Sequence, residues 1–364
     1  MGGTEQKYVQ EAFDTNWVAP LGPNVNEFEN SIQHYLSDQN HVAALSSGTA
    51  AIHLALILAG VQERDEVLCQ SFTFSASANP IAYLGATPVF VDSEKETWNM
   101  CPELLEEAIK DRILKGKKPK AIVVVHLYGM PAKMLAIQEI ARNYEIMLIE
   151  DAAEAIGSTI DSEKCGTFGD FGVLSFNGNK IITTSGGGAL VCRTEEKKQQ
   201  AIHLATQARD AAPHYQHSKI GYNYRMSNIV AGIGRGQMEV LDLRVKQRRA
   251  NYDFYHHELK SLPEITFLKE PENYFSNRWL SCMLLPSYEA REQVRLALLQ
   301  ENIESRPLWK PMHLQPVFKS CEAYINHISE DLFERGLCLP SGSNLEKEDV
   351  VRVVSNIKMN LPKR

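Results

Sequence analysis

Short apolar segments alternate with helical segments over residues 40–245, and this alternation constrains the fold more than any other feature of the chain. Apolar segments flanked by helices are typical of parallel strands that are covered on both faces. The sequence therefore predicts an α/β domain with an open, mainly parallel sheet, in which ligands bind at the carboxyl ends of the strands. Strands are predicted at 42–45, 66–69, 88–92, 121–126 and 146–150, and helices at 49–59, 75–84, 102–114 and 133–144.

The length predicts two domains. At 364 residues and 44% hydrophobic, the chain is long enough for one large domain and one smaller domain. The large domain is predicted at 1–245, with an N-terminal arm at 1–25. A charged helix at 237–258 is expected to connect it to a small α+β domain at 246–364.

Charge and cysteine content exclude several classes of protein. The net charge of −7 argues against a nucleic-acid or anionic-membrane surface. The seven cysteines are scattered, with no CxxC pair, which predicts reduced thiols and neither a disulfide framework nor a zinc site. No apolar run approaches the ~18 residues of a membrane span, and no signal peptide is visible, so a cytoplasmic protein is expected.

Lys180 is the leading candidate for chemistry. It lies between two apolar segments, 171–176 and 189–192, while Asp151 follows the strand at 146–150. Such a lysine is often only a solvated turn residue. A carboxylate at a strand end and a lysine on a later loop are, however, what pyridoxal phosphate needs: the amine forms a Schiff base, and the carboxylate keeps the pyridine nitrogen protonated.

Several loops have both a functional and a structural interpretation. The small residues at 46–50 precede a helix, and their backbone can bind phosphate or simply cap the helix. Phe74 can stack on a flat ring or belong to the core, and Ser175 can donate to phosphate or complete a strand end. The segment 221–228 is a candidate domain or dimer contact. The segment 306–313 concentrates two cations, a tryptophan and a histidine, which could bind a diphosphate or form a surface loop.

Five blocks, in order and spacing, resemble the DegT/DnrJ/StrS family of pyridoxal-phosphate-dependent nucleotide-sugar aminotransferases, a branch of the fold-type-I aminotransferases. The resemblance covers nearly the whole chain. Within the family, the chain looks most like the PglE-type enzymes, which aminate UDP-linked 4-keto-6-deoxy-N-acetylglucosamine on the bacillosamine-type route. The five blocks are 47–55, 71–74, 85–92, 126–129 and 150–153.

The resemblance implies a role for individual residues. Lys180 would hold the cofactor and move the proton to the sugar, Asp151 would pair with the pyridinium nitrogen, and Phe74 would stack on the ring. The phosphate would be held by Gly48, Thr49, Ala50 and Ser175, and by Asn223, or less readily Arg225, from the partner subunit of a homodimer. The candidate substrate contacts are Trp17, Asn277, Arg278, Arg306, Lys310 and His313.

Glu154 departs from the wider family, in which many members carry glutamine beside the 3′-oxygen of the cofactor. A carboxylate there would repel an anionic oxygen unless it were protonated or bridged by water.

The resemblance implies transamination of the C4 keto group of a nucleotide-linked 4-keto-6-deoxy sugar, with L-glutamate leaving as 2-oxoglutarate. The product would be a 4-amino sugar nucleotide for surface glycans or protein glycosylation. The main alternative is another nucleotide keto sugar, either of the GDP-perosamine type or a 3-keto sugar. A sugar 3-dehydratase is disfavoured by Lys180, because those enzymes carry histidine there. A non-catalytic regulator that binds the cofactor is disfavoured because lysine, aspartate and phosphate loop are all retained.

Overall fold

A computed structural model describes residues 1–361 of the chain. Its strands are β1 (His41–Leu45), β2 (Glu66–Gln70), β3 (Thr87–Val91), β4 (Ala121–Val125), β5 (Met147–Asp151), β6 (Thr159–Ile160), β7 (Glu163–Lys164), β8 (Phe171–Ser175), β9 (Gly188–Cys192), β10 (Thr266–Phe267), β11 (Tyr274–Phe275), β12 (Ser281–Leu284), β13 (Arg306–Pro307), β14 (Ala323–Tyr324) and β15 (Gly336–Leu339). Its helices are α1 (Glu5–Asp14), α2 (Pro23–Leu36), α3 (Gly48–Leu58), α4 (Asn79–Tyr83), α5 (Pro102–Leu114), α6 (Met134–Asn143), α7 (Glu195–Ala205), α8 (Asn228–Met238), α9 (Leu241–Leu259), α10 (Tyr288–Gln300), α11 (Ile328–Arg335) and α12 (Lys347–Asn360).

The large sheet has the strand order β1-β9-β8-β5-β4-β2-β3-β14. Its strands are parallel except β9, which runs antiparallel to both β1 and β8. Every residue of β4 is buried, as expected for an apolar strand with helices on both faces of the sheet. The prediction of a mixed α/β fold with a mainly parallel sheet is therefore confirmed.

Two predicted helices differ from the structure. The segment 75–84 forms a 3-10 turn (Ser75–Ser77) followed by the short α4. Pro80 has no N–H to donate, so it is tolerated only in the first turn of a helix, where α4 places it. The charged helix predicted at 237–258 begins later, at Leu241, because α8 ends at Met238 and a short break follows.

The second part of the chain forms a small antiparallel sheet, β10-β12-β15-β13, with its own apolar core against α9, α10 and α12. The boundary placed after residue 245 falls inside α9, and β14 extends the large sheet next to β3. A third sheet has three strands in the order β11-β6-β7. Within residues 1–361, no helix has both the length and the apolarity needed to cross a bilayer.

Candidate active site

A cavity of about 550 Å³ lies at the carboxyl ends of β5 and β8 and the N-terminus of α3. The loop that follows β8 and the small domain close its other sides. Lys180, Asp151, Glu154, Phe74, Ser175, Gly48, Thr49 and Arg306 are among its lining residues. The structure therefore brings most of the predicted cofactor residues to one place, as the strand-end argument requires.

Lys180 is the central cation of this cavity. Its Nζ lies 3.1 Å from Oε1 of Glu154 and 4.2 Å from the centre of the Trp279 ring. Only 12% of its side chain is exposed, so it is not a solvated turn residue. The indole face and the carboxylate hold the amine at the cavity wall.

Glu154 is buried directly behind the lysine. Its Oε2 accepts a hydrogen bond from the backbone N–H of Tyr128 at 2.8 Å. Burial raises the pKa of the Glu154 carboxyl, and Lys180 and the Tyr128 N–H oppose that rise. The carboxylate is therefore placed where it can take up a proton that the lysine amine gives up.

Asp151 is fixed at the end of β5. Its Oδ2 accepts from the Ser77 hydroxyl at 2.6 Å, and its Oδ1 accepts from the backbone N–H of Ala153 at 3.2 Å. Thr73 and Ser77 are themselves in hydroxyl contact at 2.7 Å. These contacts point a carboxylate into the cavity, where it can accept a hydrogen bond from a ring N–H.

The N-terminus of α3 forms an anion-binding wall. The Ser47 side chain caps the helix by accepting from the Ala50 N–H at 3.0 Å. The N–H groups of the first turn have no intrahelical acceptor, so Gly48 and Thr49 present free donors to the cavity. A Cβ on Gly48 would lie 3.0 Å from the Ser175 Cβ, so glycine here lets strand end and helix approach closely.

The open side of the cavity is aromatic and basic. Phe74 is 56% exposed, and its ring centre lies 5.4 Å from that of Trp309. The Trp279 indole N–H donates to the Asn179 carbonyl at 2.9 Å, which connects the small domain to the lysine loop. Arg306 is exposed at the mouth beside Glu304.

Two predicted substrate residues, Asn277 and Arg278, do not line the cavity and are engaged within the chain. Asn277 is fully buried: its amide donates to the carbonyls of Glu154 and Ile156, and its oxygen accepts from the Trp279 N–H. No polar atom of its side chain is left for a ligand. Arg278 is directed into the small domain, where it donates to the Leu268 carbonyl and stacks on Tyr252.

Of the other predicted contacts, Arg306 lines the cavity, whereas Trp17, Lys310 and His313 lie outside it in a single chain. His313 is held between Ser71, at 2.6 Å, and Glu330, at 3.2 Å. Lys310 is exposed on the same loop. Trp17 is 42% exposed, and its carbonyl accepts from the Asn228 amide.

The two candidates for a contact with a partner subunit differ in exposure. Asn223 is exposed. Arg225 is engaged internally, because its guanidinium is paired with Glu29 and donates to the Ala44 carbonyl. Of the two, only Asn223 is free to reach another molecule.

Tyr128 and Ser77 contact the site residues but were not predicted from the sequence. Tyr128 has a left-handed backbone (φ 56°), which directs its N–H at Glu154, while its hydroxyl accepts from the Trp309 N–H at 2.9 Å. In the sequence, Tyr128 could have been found from its position in the block 126–129, directly before Gly129, which has a φ of 88° in the structure.

The cavity fits pyridoxal phosphate. A weakly exposed amine, a fixed carboxylate and a helix N-terminus with free N–H donors are the three groups that its aldehyde, ring nitrogen and phosphate require. Lys180, Asp151 and the Gly48–Thr49 turn supply them around one space.

Comparison with known proteins identifies relatives along nearly the whole chain. The family model of the DegT/DnrJ/EryC1/StrS aminotransferases matches residues 1–358. EpsN of Bacillus subtilis (strain 168), an inferred pyridoxal phosphate-dependent aminotransferase, is 50% identical over 358 residues, covering 97% of this chain and 92% of EpsN. The GDP-perosamine synthase of Escherichia coli O157:H7 is 40% identical over 359 residues, covering 98% and 95%.

A solved structure shows the same architecture. The DegT DnrJ EryC1 StrS aminotransferase from Brucella abortus superposes with a TM-score of 0.92 at 29% identity, covering 99% of this chain and 96% of that one. The expected fold type I and the pyridoxal phosphate cofactor are thus confirmed. The chain belongs to the DegT/DnrJ/EryC1/StrS aminotransferase family and is a pyridoxal phosphate-dependent sugar aminotransferase.

Proposed function

We propose that this chain transfers the amino group of L-glutamate to the C4 keto group of UDP-4-keto-6-deoxy-N-acetylglucosamine, as the PglE-type enzymes do. The transamination is supported by the Lys180–Glu154 contact of 3.1 Å in a cavity that also holds Asp151 and the N-terminus of α3, and the choice of the UDP-linked sugar rests on the resemblance to the PglE-type enzymes. When bound, the cofactor supplies a ring that accepts the electron pair released beside the transferred nitrogen.

Lys180 is the proposed base. Its Nζ would remove the proton from the α-carbon of glutamate and, in the second half of the cycle, deliver a proton to C4 of the sugar. Glu154, in contact with the same Nζ, would hold the proton that the amine must lose to act as a base. Asp151, fixed by Ser77, would keep the facing ring nitrogen protonated.

The nucleotide has a second space to occupy. A cavity of about 660 Å³ shares Trp279, Arg306 and Trp309 with the first, and it continues along the small domain. Its wall contains Arg248, which is buried and whose Nε has no hydrogen-bond partner within residues 1–361. We place the diphosphate between Arg306 and Arg248, because both guanidiniums can donate to phosphate oxygens.

A second candidate substrate is a GDP-linked 4-keto-6-deoxy sugar. The relative in Escherichia coli O157:H7, which is 40% identical over 98% of this chain, is a GDP-perosamine synthase. Both candidates share the C4 keto group and the diphosphate, so the residues placed above would serve either one.

A substrate panel tests the proposal. The protein is incubated with L-glutamate and with UDP-, GDP- and dTDP-linked 4-keto-6-deoxy sugars, and the products are identified by mass and by proton coupling constants at C4. We expect a 4-amino product from the UDP sugar at the highest kcat/KM. A preference for the GDP sugar would replace the first candidate by the second, and amination at C3 would overturn both.

Lys180→Ala tests the assignment of the base. We expect turnover to fall by about 10²–10⁴-fold, since a positioned acid–base group contributes that much. The visible-range absorbance of the covalently held cofactor should vanish as well. Lys164→Ala is a control, because Lys164 lies outside the cavity, over the Tyr35 ring, and should leave both readouts unchanged. Wild-type turnover in Lys180→Ala would refute the assignment.

A further inference from the structure

Two of the seven cysteines face each other across the small sheet. Cys282 on β12 and Cys338 on β15 are directly opposite residues of an antiparallel ladder, and their Sγ atoms are 3.8 Å apart. Both are free thiols and both are buried. The geometry of this pair decides whether the two sulfur atoms can be joined.

Cys282 and Cys338 form a non-hydrogen-bonded pair of the antiparallel ladder, the type in which the two Cα atoms are closer together. The Leu285 N–H donates to the Arg335 carbonyl at 3.0 Å, which marks a hydrogen-bonded position three residues along the same ladder. Hydrogen-bonded and non-hydrogen-bonded pairs alternate, so Cys282 and Cys338 occupy a non-hydrogen-bonded position. There the Cα atoms are about 4.5 Å apart, within the span that a disulfide bridges.

One of the two thiols lies at a cavity wall. Cys338, which is 7% exposed, lines the 660 Å³ cavity that also contains Arg306 and Trp309, whereas Cys282, which is 4% exposed, is not among its lining residues. A small molecule in this cavity therefore reaches Cys338 first. Cys282 is then placed to react with whatever forms on Cys338.

The thiols also contact the machinery of the active site. Cys282, Cys338 and Tyr128 belong to one buried cluster together with Trp279 and Leu308. Burial and then the two thiols hold the pKa of the Tyr128 hydroxyl well above its usual range. Tyr128 connects this cluster to the cavity wall, because its backbone N–H donates to Glu154 and its hydroxyl accepts from the Trp309 N–H.

We propose that Cys282 and Cys338 form a redox modification site, which a peroxide oxidises to a disulfide that lowers the affinity of the adjoining cavity for its nucleotide substrate. The Cys338 sulfur attacks the peroxide, the O–O bond breaks, and a sulfenic acid and water form. The Cys282 sulfur then attacks Cys338, the S–O bond breaks, and a second water leaves. Two thiols and one hydrogen peroxide thus give one disulfide and two waters.

Peptide mapping tests the bridge without any assay of activity. The protein is treated with hydrogen peroxide, free thiols are blocked with N-ethylmaleimide, and tryptic peptides are analysed by mass spectrometry with and without dithiothreitol. We expect a Cys282–Cys338 cross-link that dithiothreitol removes. In Cys282→Ser the bridge cannot form, and Cys338 should instead react with the sulfenic-acid reagent dimedone.

Cys321→Ser is the matched control, because Cys321 is half-buried and is not paired with another thiol in this geometry. That variant should form the bridge as the wild type does. If N-ethylmaleimide still labels both Cys282 and Cys338 under conditions that oxidise Cys321, the proposal is overturned.

The effect of the Cys282–Cys338 disulfide on substrate binding in the cavity is measured separately. Oxidation should raise the KM for the nucleotide sugar about tenfold and change the tryptophan fluorescence, and Cys282→Ser should show neither effect. The KM readout rests on the proposed function, whereas cross-link and fluorescence do not, so failure of one can be told from failure of the other. A bridge that forms without a change in either signal would refute the link.

Discussion

The pKa of the Glu154 carboxyl is subject to opposing effects of burial and of its neighbours. Burial raises the pKa of its carboxyl above the ordinary value of 4.5, and Lys180 and the Tyr128 N–H work against that rise. Glutamine at this position would keep the hydrogen bond from Tyr128 and remove the charge. Glu154→Gln therefore removes the carboxylate that can accept a proton, while the side chain can still hold the Tyr128 turn.

The stability of Glu154→Gln is expected to depend on pH differently from that of the wild type. Because the folded-state pKa is raised, the folded protein binds more protons than the unfolded chain at pH values between 4.5 and the raised pKa. This contribution to stability is complete below pH 4.5 and is lost as the pH rises through that window. Glu154→Gln should therefore gain stability over the wild type as the pH rises above 4.5, because the amide cannot become a buried charge.

Urea unfolding at several pH values measures this gain. Glu139→Gln, which removes an exposed carboxylate on α6, should follow the wild-type curve. If Glu154→Gln also keeps the wild-type slope, the pKa of Glu154 is not raised in the folded protein.

At the scale of elements, the contact of β9 with the N-terminus of α3 shapes the phosphate wall. A Cβ on Gly188 would lie 2.3 Å from the carbonyl carbon of Ser47 and 2.4 Å from the Gly48 nitrogen, so an alanine there must displace the turn. Gly178, in the loop between β8 and β9, does not line the cavity, and a Cβ there would meet only the Ser185 carbonyl oxygen, at an ordinary 3.8 Å. The two glycines therefore provide a test position and a control position for the same substitution to alanine.

Gly188→Ala should weaken cofactor binding by about tenfold or more, because the displaced turn can no longer aim its N–H donors at the phosphate. Gly178→Ala should bind the cofactor as the wild type does. Fluorescence titration of the cofactor-free protein with pyridoxal phosphate gives both Kd values. Equal Kd values for the two variants would mean that the α3 turn does not hold the phosphate.

The order of elements could be predicted from the sequence, but the pairing of strands could not. Apolar runs such as 121–125 show where a strand lies because burial on both faces leaves no polar alternation. The reversed direction of β9 and the addition of β14 to the large sheet depend on contacts between distant parts of the chain. The break before Leu241 was missed because the charged pattern continues across it.

For the whole molecule, residues at strand ends could be placed in advance, whereas contacts between domains could not. Lys180, Asp151, Glu154 and the Gly48–Thr49 turn follow predicted strands, and they meet in one cavity. Trp279 and Trp309 reach that cavity from the second part of the chain, and no local pattern shows which side of their loops faces it. Asn277 was misplaced for the same reason: its amide serves the loop that carries Glu154.

The proposed homodimer makes the strongest prediction at this scale. Asn223 is exposed on the chain that carries it and does not line the cavity of that chain, so its proposed phosphate contact requires a second copy. Asn223→Ala should lower kcat/KM about tenfold, which is the effect of losing about 1.4 kcal/mol of hydrogen bonding.

Mixing subunits tests whether the site is shared. In a heterodimer of Lys180→Ala and Asn223→Ala subunits, one site combines Lys180 from one copy with Asn223 from the other and is intact. After random exchange of equal amounts, half of the dimers are mixed and each has one intact site, so about a quarter of wild-type activity should return. If Asn223 acted within its own chain, no intact site would form, and the mixture would show only the averaged activity of the two variants.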